Sequence, residues 1–338
     1  MSTPIFSIII PVYNGHDVIG RALDSIYSQG LSEDQFEVIC VDDCSPTMDT
    51  WRLLNSYTCN GTHPSNLILK RHEENKRQGA ARNTALKFAS GEYILYLDAD
   101  DCFVSGSLQK LSECLSNYSI CDCVMFDFQE IDPFRCSMKH SIFANQNLPI
   151  GLVMSGGEFI QQYPIPWGPV FYAYKRSFLL VHNILFVENE RFEDTDYVIK
   201  STLYAKYMTF LPLEVMSVFL NYGSTTTVGS DIVKITDLFR LSQRIKIIAG
   251  AFIQQDRAAA MAAMNHHICN YHEILVRFLW RLPYHSIVNL LQKYRPYENS
   301  GDALINFATK HPHVYALTSI FVRPFLLGLS WVKSKVRQ

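Results

Sequence analysis

The chain has 338 residues, 48% of them hydrophobic and 18% charged, with a formal net charge of −2. This composition supplies a full core and excludes wholesale disorder, and the near-neutral balance offers no basic field for nucleic acid. The length suits one large catalytic domain plus an accessory segment, or two domains. Nine cysteines include no C-x-x-C pair, and Cys121 and Cys123 stand two apart, too close for an ordinary bridge. Residues 5–12 are too short and lack the basic flank of a cleavable signal, and no apolar run reaches the roughly 18 residues that cross a membrane. Reduced thiols in a cytoplasmic protein are the expectation.

Taken in order, residues 6–12 are a β-branched run and predict a buried strand, closed by Pro11 and the turn formers Asn14-Gly15. Residues 16–29 carry Val18, Ile19, Ala22, Leu23 and Ile26 on one helical face. Residues 36–41 read as the next strand, ending in Asp42-Asp43-Cys44-Ser45-Pro46. A helix over 48–57 and a short strand over 67–69 follow, then a helix opened by Gly79-Ala80-Ala81-Arg82-Asn83 and running to Ser90. Residues 93–97 predict a strand buried on both faces, with Asp98, Asp100 and Asp101 at its end. This alternation predicts a parallel sheet with crossover helices.

Two strands therefore end in clustered carboxylates on one edge of the sheet, where open α/β sheets place their ligand crevices. Carboxylates packed so closely repel unless a cation joins them. A hard divalent ion, Mn²⁺ or Mg²⁺, suits such oxygen ligands and also holds phosphates. Each acid pair taken alone also reads as a helix N-cap. Tyr13 offers a face for stacking a base. No G-x-G-x-x-G follows the first strand and no Walker-type G-K-[ST] occurs. Phosphate charge must then be met by a metal, by Arg82, or by the pairs Lys70-Arg71 and Lys76-Arg77.

Residues 7–14 (Ser-Ile-Ile-Ile-Pro-Val-Tyr-Asn), 38–45 (Val-Ile-Cys-Val-Asp-Asp-Cys-Ser), 79–83 (Gly-Ala-Ala-Arg-Asn) and 97–101 (Leu-Asp-Ala-Asp-Asp) resemble, in order and spacing, the signature of family 2 glycosyltransferases. The resemblance implies a GT-A fold, an α/β Rossmann-like and mostly parallel sheet with flanking helices, using a D-x-D motif and a divalent metal. It implies that Pro11, Tyr13 and Asn14 line the nucleobase pocket, and that Asp42 and Asp43 bind the nucleotide, with Asp43 accepting from the uracil or ribose. Asp98 would contact the ribose or the metal with Ala99 beside it, and Asp100 would be the main metal ligand. Arg82 and Asn83 would close the donor site.

In the second half, residues 107–115 predict a helix and 123–128 a strand of the mixed part of the sheet. Residues 131–150 read as an irregular surface insertion, and Ser155-Gly156-Gly157-Glu158 as a helix start. Residues 163–174 pack three prolines and several aromatics together, a pattern that fits either core or a sugar grip. By the resemblance, Trp167 borders the acceptor site, although a basic residue common just after it is Pro169 here. Arg191-Phe192-Glu193-Asp194 matches the family's E-D motif at a helix start, which makes Asp194, assisted by Glu193, the expected base. Plain helix capping is the competing reading. Residues 219–227 resemble the family's next strand and acceptor loop, with Gly223 where a basic residue is usual. No histidine stands out as a third metal ligand.

From residue 231 onward the periodicity is helical over 233–252 and 258–282, broken at 254–257, with a turn at 298–301. Residues 314–338 join Phe321, Phe325 and Trp331 to Arg323, Lys333, Lys335 and Arg337 without an acid, as in segments that lie on anionic membranes. A terminal helix docked on the catalytic domain is the alternative. The expectation is a domain over 1–230 and a helical region over 231–338. Together these would form an inverting, metal-dependent transferase that uses a nucleotide-sugar, a UDP-sugar by expectation. The acceptor would be a glycan or a polyprenyl-diphosphate-linked glycan in cell-surface polysaccharide synthesis at the inner face of the membrane. An inactive nucleotide-sugar-binding relative and a sugar-nucleotide pyrophosphorylase are the rivals. The latter would need a Gly-rich basic loop where Tyr13-Asn14-Gly15-His16 stands.

Overall fold

The computed structural model describes residues 3–59, 61–141, 143, 147–220, 232–279, 282–294 and 303–319. The chain divides into two compact units, residues 1–221 and 222–338.

The first unit is built on one sheet. Strands β1 (Phe6–Val12), β2 (Phe36–Asp42), β3 (Leu67–Arg71) and β4 (Tyr93–Tyr96) alternate with helices α1 (Ile19–Tyr27), α2 (Asp49–Ser56) and α3 (Arg77–Leu86). All four strands pair in parallel, in the order β3-β2-β1-β4. β1, β2 and β4 are buried along their whole length because helices cover both faces, which is why their sequences run apolar without alternation. Glu37 is the exception inside β2, and it is satisfied internally. Its carboxylate accepts from the Ser7 hydroxyl (2.5 Å) and from the backbone N–H groups of Ser90 and Gly91 (2.5 and 3.2 Å).

Beyond β4 the sheet becomes mixed. The remaining elements in chain order are β5 (Cys102–Phe103), α4 (Ser107–Asn117), β6 (Cys123–Asp132), β7 (Ser137–Lys139), α5 (Gly156–Gln162), β8 (Tyr172–Lys175), α6 (Arg176–Val181), α7 (Glu193–Tyr204) and β9 (Met208–Phe219). β8 inserts antiparallel between β4 and β6, β6 runs parallel to β9, β5 closes the edge and β7 folds back on β6. α5 opens with the full capping box of Ser155 and Glu158.

Two expectations change here. The described part of residues 131–150 is mostly exposed, as expected of a surface insertion, but it is not wholly irregular: β6 continues to Asp132 and returns as the exposed β7, and Phe143 is buried. Its ring meets Phe128 edge-on at 5.0 Å and Phe171 at 5.6 Å. The strand expected from residue 219 ends there instead, having begun at Met208. Pro212 masks it in the sequence. The structure accommodates the proline in a bulge, since pairing with β6 steps from Leu211 to Glu214, and no ladder hydrogen bond is asked of it. The aromatic run of 163–174 divides: Tyr172 and Tyr174 are core, whereas Trp167 stays exposed.

The second unit is helical: α8 (Ile232–Phe252), α9 (Arg257–Glu273), α10 (Tyr284–Lys293) and α11 (Ala303–Lys310). The break lies at 253–256, one residue before the expected 254–257, so that Arg257 already opens α9. The helix expected to reach residue 282 ends earlier, loosening into a wider π turn over Ile274–Phe278. Phe239 anchors the core, edge-on to Tyr271 at 5.0 Å and stacked on Tyr294 at 5.5 Å, with the Tyr271 hydroxyl donating to the Tyr294 carbonyl (2.9 Å). Among the described residues no helix is long and apolar enough to cross a membrane. The expected acceptor loop beyond residue 220, the turn at 298–301 and the basic-aromatic residues from 320 onward lie outside the described residues.

The buried place of Phe143 sets a test. Phe143→Ala should lower unfolding stability by about 3 kcal/mol in urea titrations, since it opens a cavity between Phe128 and Phe171. A solvated loop position would change stability by no more than about 0.5 kcal/mol.

Candidate active site

The parallel register brings the acids to one edge. Val12 pairs with Asp42, and Ile9 with Tyr96, so the chain leaves β1, β2 and β4 side by side at Tyr13, Asp43 and Asp98. Tyr13 is half exposed, and Asn14 takes a left-handed turn (φ 53°) with its N–H donating to the Ser45 hydroxyl. Pro11 is buried inside β1 and sets the strand end instead of offering surface.

The two acids after β2 do different work. Asp42 is fully buried: it pairs with Arg71 Nε at 2.9 Å and accepts from Ser45, which leaves no carboxyl surface for a nucleotide. The expectation that Asp42 binds the donor is corrected on that ground, because its role is to hold the loop after β2. Asp43 is nearly as buried (2% exposed) but makes fewer bonds, its Oδ1 accepting from the Lys76 N–H (2.9 Å) and from His72 Nδ1 (2.6 Å). Sequence reading missed His72. The register pairing Asp42 with Arg71 was the available signal, since it sets the next residue of each strand side by side.

Arg82, on α3, is the centre of the site. It is fully buried, and its guanidinium reaches three carboxylates from two other elements. Nη1 donates to Asp194 Oδ1 (2.6 Å) and Glu193 Oε1 (3.3 Å), and Nη2 to Asp98 Oδ1 (2.8 Å). Phe186 lies under it at 5.1 Å, itself stacked at 3.8 Å on Tyr197. Burial works against the guanidinium charge, and the three acids outweigh it, so Arg82 stays cationic. The expectation that Arg82 closes over the donor is thereby altered, because its charge is committed to acids. Asn83 is corrected likewise. Its amide donates to the Phe186 carbonyl and Glu188 and accepts from the Phe186 N–H, pinning residues 186–188 to α3.

Glu193 and Asp194 open α7, whose backbone N–H groups and dipole favour acids in the first turn. Glu193 is buried, while Asp194 keeps 35% of its side chain exposed. Burial pushes the Asp194 carboxyl up, to about 7, against the pull of Arg82, and the neighbouring charges of Glu193 and Asp98 add to the rise. Glu193 is raised too, by burial first. Asp194 is thus an accessible acid poised to exchange a proton near neutrality, the property a general base needs.

Asp98 keeps a third of its side chain exposed (33%), and Ala99 and Asp100 are partly exposed beside it. The Asp100 carbonyl is clamped by Arg21 at 2.6 Å. Asp101 serves the fold: it is buried and accepts from the Phe219 N–H (2.9 Å), tying the turn to the end of β9. Among the described residues no three acid, histidine or cysteine side chains form a metal cage of their own. Asp98 and Asp100 offer oxygen ligands only, two carboxylates at most. That donor set fits Mg²⁺ or Mn²⁺ shared with substrate phosphates, which is how such ions are commonly held. Trp167 is exposed just before the 3₁₀ turn Pro169–Phe171, which packs near α7.

Gly79 explains how α3 comes close enough. A Cβ there would lie 2.6 Å from the Val187 carbonyl and 3.1 Å from Glu193 Cγ. Gly79→Ala should push the Glu193 segment off α3. Urea titration should show this overpacking as a loss of about 1 to 3 kcal/mol in unfolding stability.

Residues 7–174, about half of the chain, match the family model described as glycosyl transferase family 2. Over 104 residues the chain is 41% identical to the poly(ribitol-phosphate) beta-glucosyltransferase of Bacillus spizizenii, a stretch covering 31% of this chain and 16% of that protein. Its fold is similar to S. aureus TarS 1–349 in complex with UDP-GlcNAc, at TM-score 0.71 and 20% identity over 94% of this chain and 91% of that one. It is also similar to the mannosyltransferase PcManGT of Pyrobaculum calidifontis in complex with GDP-Man and Mn²⁺, at TM-score 0.51 and 17% identity, over 95% and 87% of the two chains. The motifs after β1, β2 and β4, the Arg82 helix and the GT-A sheet converge on one conclusion: the chain belongs to glycosyl transferase family 2.

Proposed function

We propose that this chain is an inverting glycosyltransferase that moves a sugar from a UDP-sugar to a hydroxyl of a glycan or polyprenyl-diphosphate-linked acceptor, in cell-surface polysaccharide synthesis. The observation that carries the reading is Asp194, accessible, raised to about 7 and held by the same guanidinium that holds Asp98. The UDP-GlcNAc bound by TarS supports the donor class, and the diphosphoundecaprenol-linked sugar named as acceptor of the Escherichia coli glucosyltransferase WfaP, 39% identical over 106 residues, supports the acceptor class. The nine free cysteines favour a reducing, cytoplasmic location.

In this mechanism Tyr13 stacks on the nucleobase and Asp43 accepts its N–H. Asp98 and Asp100 would hold Mn²⁺ or Mg²⁺ together with the diphosphate. The ion, when bound, neutralises the charge that grows on the leaving group. Asp194 accepts the proton of the acceptor hydroxyl as its oxygen attacks the anomeric carbon. The new C–O bond forms as the bond to the diphosphate breaks on the opposite face, so configuration inverts. Arg82 keeps Asp194 oriented, and Glu193 shares the guanidinium while raising the basicity of its neighbour. Trp167 would present an apolar face to the acceptor ring.

Incubation with UDP-sugars and Mn²⁺ should release UDP, and Asp194→Asn should cut turnover by about 10² to 10⁴ with donor affinity preserved. Because the carboxyl is raised to about 7, its basic form is lost below that pH. The wild-type kcat/KM should fall about tenfold per pH unit on the acid side, a limb absent from the asparagine variant. A drop under about tenfold, or collapse of donor binding, removes Asp194 from the role. Asp100→Ala should separately abolish the Mn²⁺ dependence of UDP binding, read by calorimetry with and without EDTA. An unchanged dependence would sink the D-x-D assignment.

A further inference from the structure

We propose that His72 is the positioning residue that gives the nucleobase site its preference for uracil, an inference that rests on the donor site assigned above. His72 follows β3 and its ring is mostly buried against Asp43. Nδ1 lies 2.6 Å from Asp43 Oδ1 and Nε2 lies 2.9 Å from Thr84 Oγ1 on α3. An ionised carboxylate only accepts, so Nδ1 carries the proton, and the Thr84 hydroxyl fixes the other nitrogen of the ring. The His72 backbone N–H is itself bound to the Asp42 carbonyl (2.9 Å). His72 is therefore held at three points, two on its ring and one on its backbone, and the ring holds Asp43 in turn.

The consequence is directional. The bonds from His72 and from the Lys76 N–H both land on Oδ1, so the N–H of a bound base meets Oδ2. An acceptor fixed in this way favours a base whose ring nitrogen carries a hydrogen, as in uracil. It disfavours cytosine, whose corresponding nitrogen is an acceptor and sets a lone pair against Oδ2, leaving that oxygen without a donor. A carboxylate free to turn would lose that discrimination while the diphosphate contacts stay as they are. Thr84 stands two residues beyond Arg82 on α3, so the helix that anchors the imidazole is the one that anchors the base Asp194.

The test measures UDP and CDP affinity by calorimetry in Mn²⁺ for wild type, His72→Phe and Thr84→Val. The phenylalanine keeps a ring in place without hydrogen bonds. The valine is isosteric and removes only the anchor of the imidazole. In His72→Phe, UDP affinity should fall by about tenfold with CDP affinity within about twofold, so the UDP preference collapses. Thr84→Val should move the ratio in the same direction by a smaller factor, and His72→Asn, which restores a donor to Asp43, should recover part of it. With the UDP-sugar, KM should rise while kcat at saturation stays within about threefold. Equal weakening of UDP and CDP, or no change in either, overturns the proposal. If His72→Phe fails to fold, an unchanged UDP-to-CDP ratio in Thr84→Val overturns it alone. A wild type that binds neither nucleotide refutes the donor-site reading instead, and so is distinguishable.

Discussion

One buried cation organises the catalytic unit. Arg82 has lost its water entirely, and a guanidinium in that position is tolerable only if acids surround it. Three do, from two separate parts of the chain: Asp98 after β4, and Glu193 and Asp194 at the start of α7. Burial is what first lifts the Asp194 carboxyl toward neutrality, and the surplus of negative charge from Glu193 and Asp98 adds to the rise against the pull of Arg82. A lone Arg–Asp pair would have done the opposite, holding the acid well below its ordinary range. The third acid therefore changes what the pair can do chemically.

The donor edge depends on a different constraint. Parallel strands deliver their carboxyl ends to one side, so residues far apart in sequence emerge next to each other without any special design of the loops. What the loops add is fixation. Asp42 takes the structural duty with Arg71 and Ser45, which leaves Asp43 to face the site. Asp101 ties the D-x-D turn to β9, while Asp98 and Asp100 stay partly exposed. In each acidic cluster one carboxylate is committed to the fold: Asp42 to Arg71 and Ser45, beside an Asp43 that is itself nearly buried, and Asp101 to the Phe219 N–H, beside the partly exposed Asp98 and Asp100.

Much of this was legible in the sequence, because the informative residues are those under local constraint. The β-branched runs of β1 and β2, the acids at their ends and the glycine opening α3 each leave a short-range signature. The E-D pair at the start of α7 does too. What escaped reading was set by long-range pairing. β9 hides behind Pro212, whose bulge exists only because β6 runs beside it. Phe143 looked like loop because its packing partners, Phe128 and Phe171, are distant in sequence. Asp42 and Asp43 are indistinguishable as letters, and only the neighbours Arg71 and His72 separate their roles. Arg82 read as a donor contact for the same reason: its acids arrive from more than a hundred residues away.

The insertion of β8 between β4 and β6 has a consequence for the order in which the unit is made. β1 to β4 pair among themselves within the first hundred residues, so the donor edge can assemble from the N-terminal portion of the chain. β6 cannot join that sheet until residues 172–175 have been synthesised, because among the described residues β8 alone links it to β4. Asp194 follows later still, across a separation of 112 residues from Arg82. During synthesis Arg82 therefore waits with Asp98 as its one acid, and closure of such a long loop is among the slower steps a chain of this kind can take. The strand ends proposed to hold the donor are complete before Asp194, the proposed base, exists, so a nascent chain with this function would be equipped to hold its donor before it could use it.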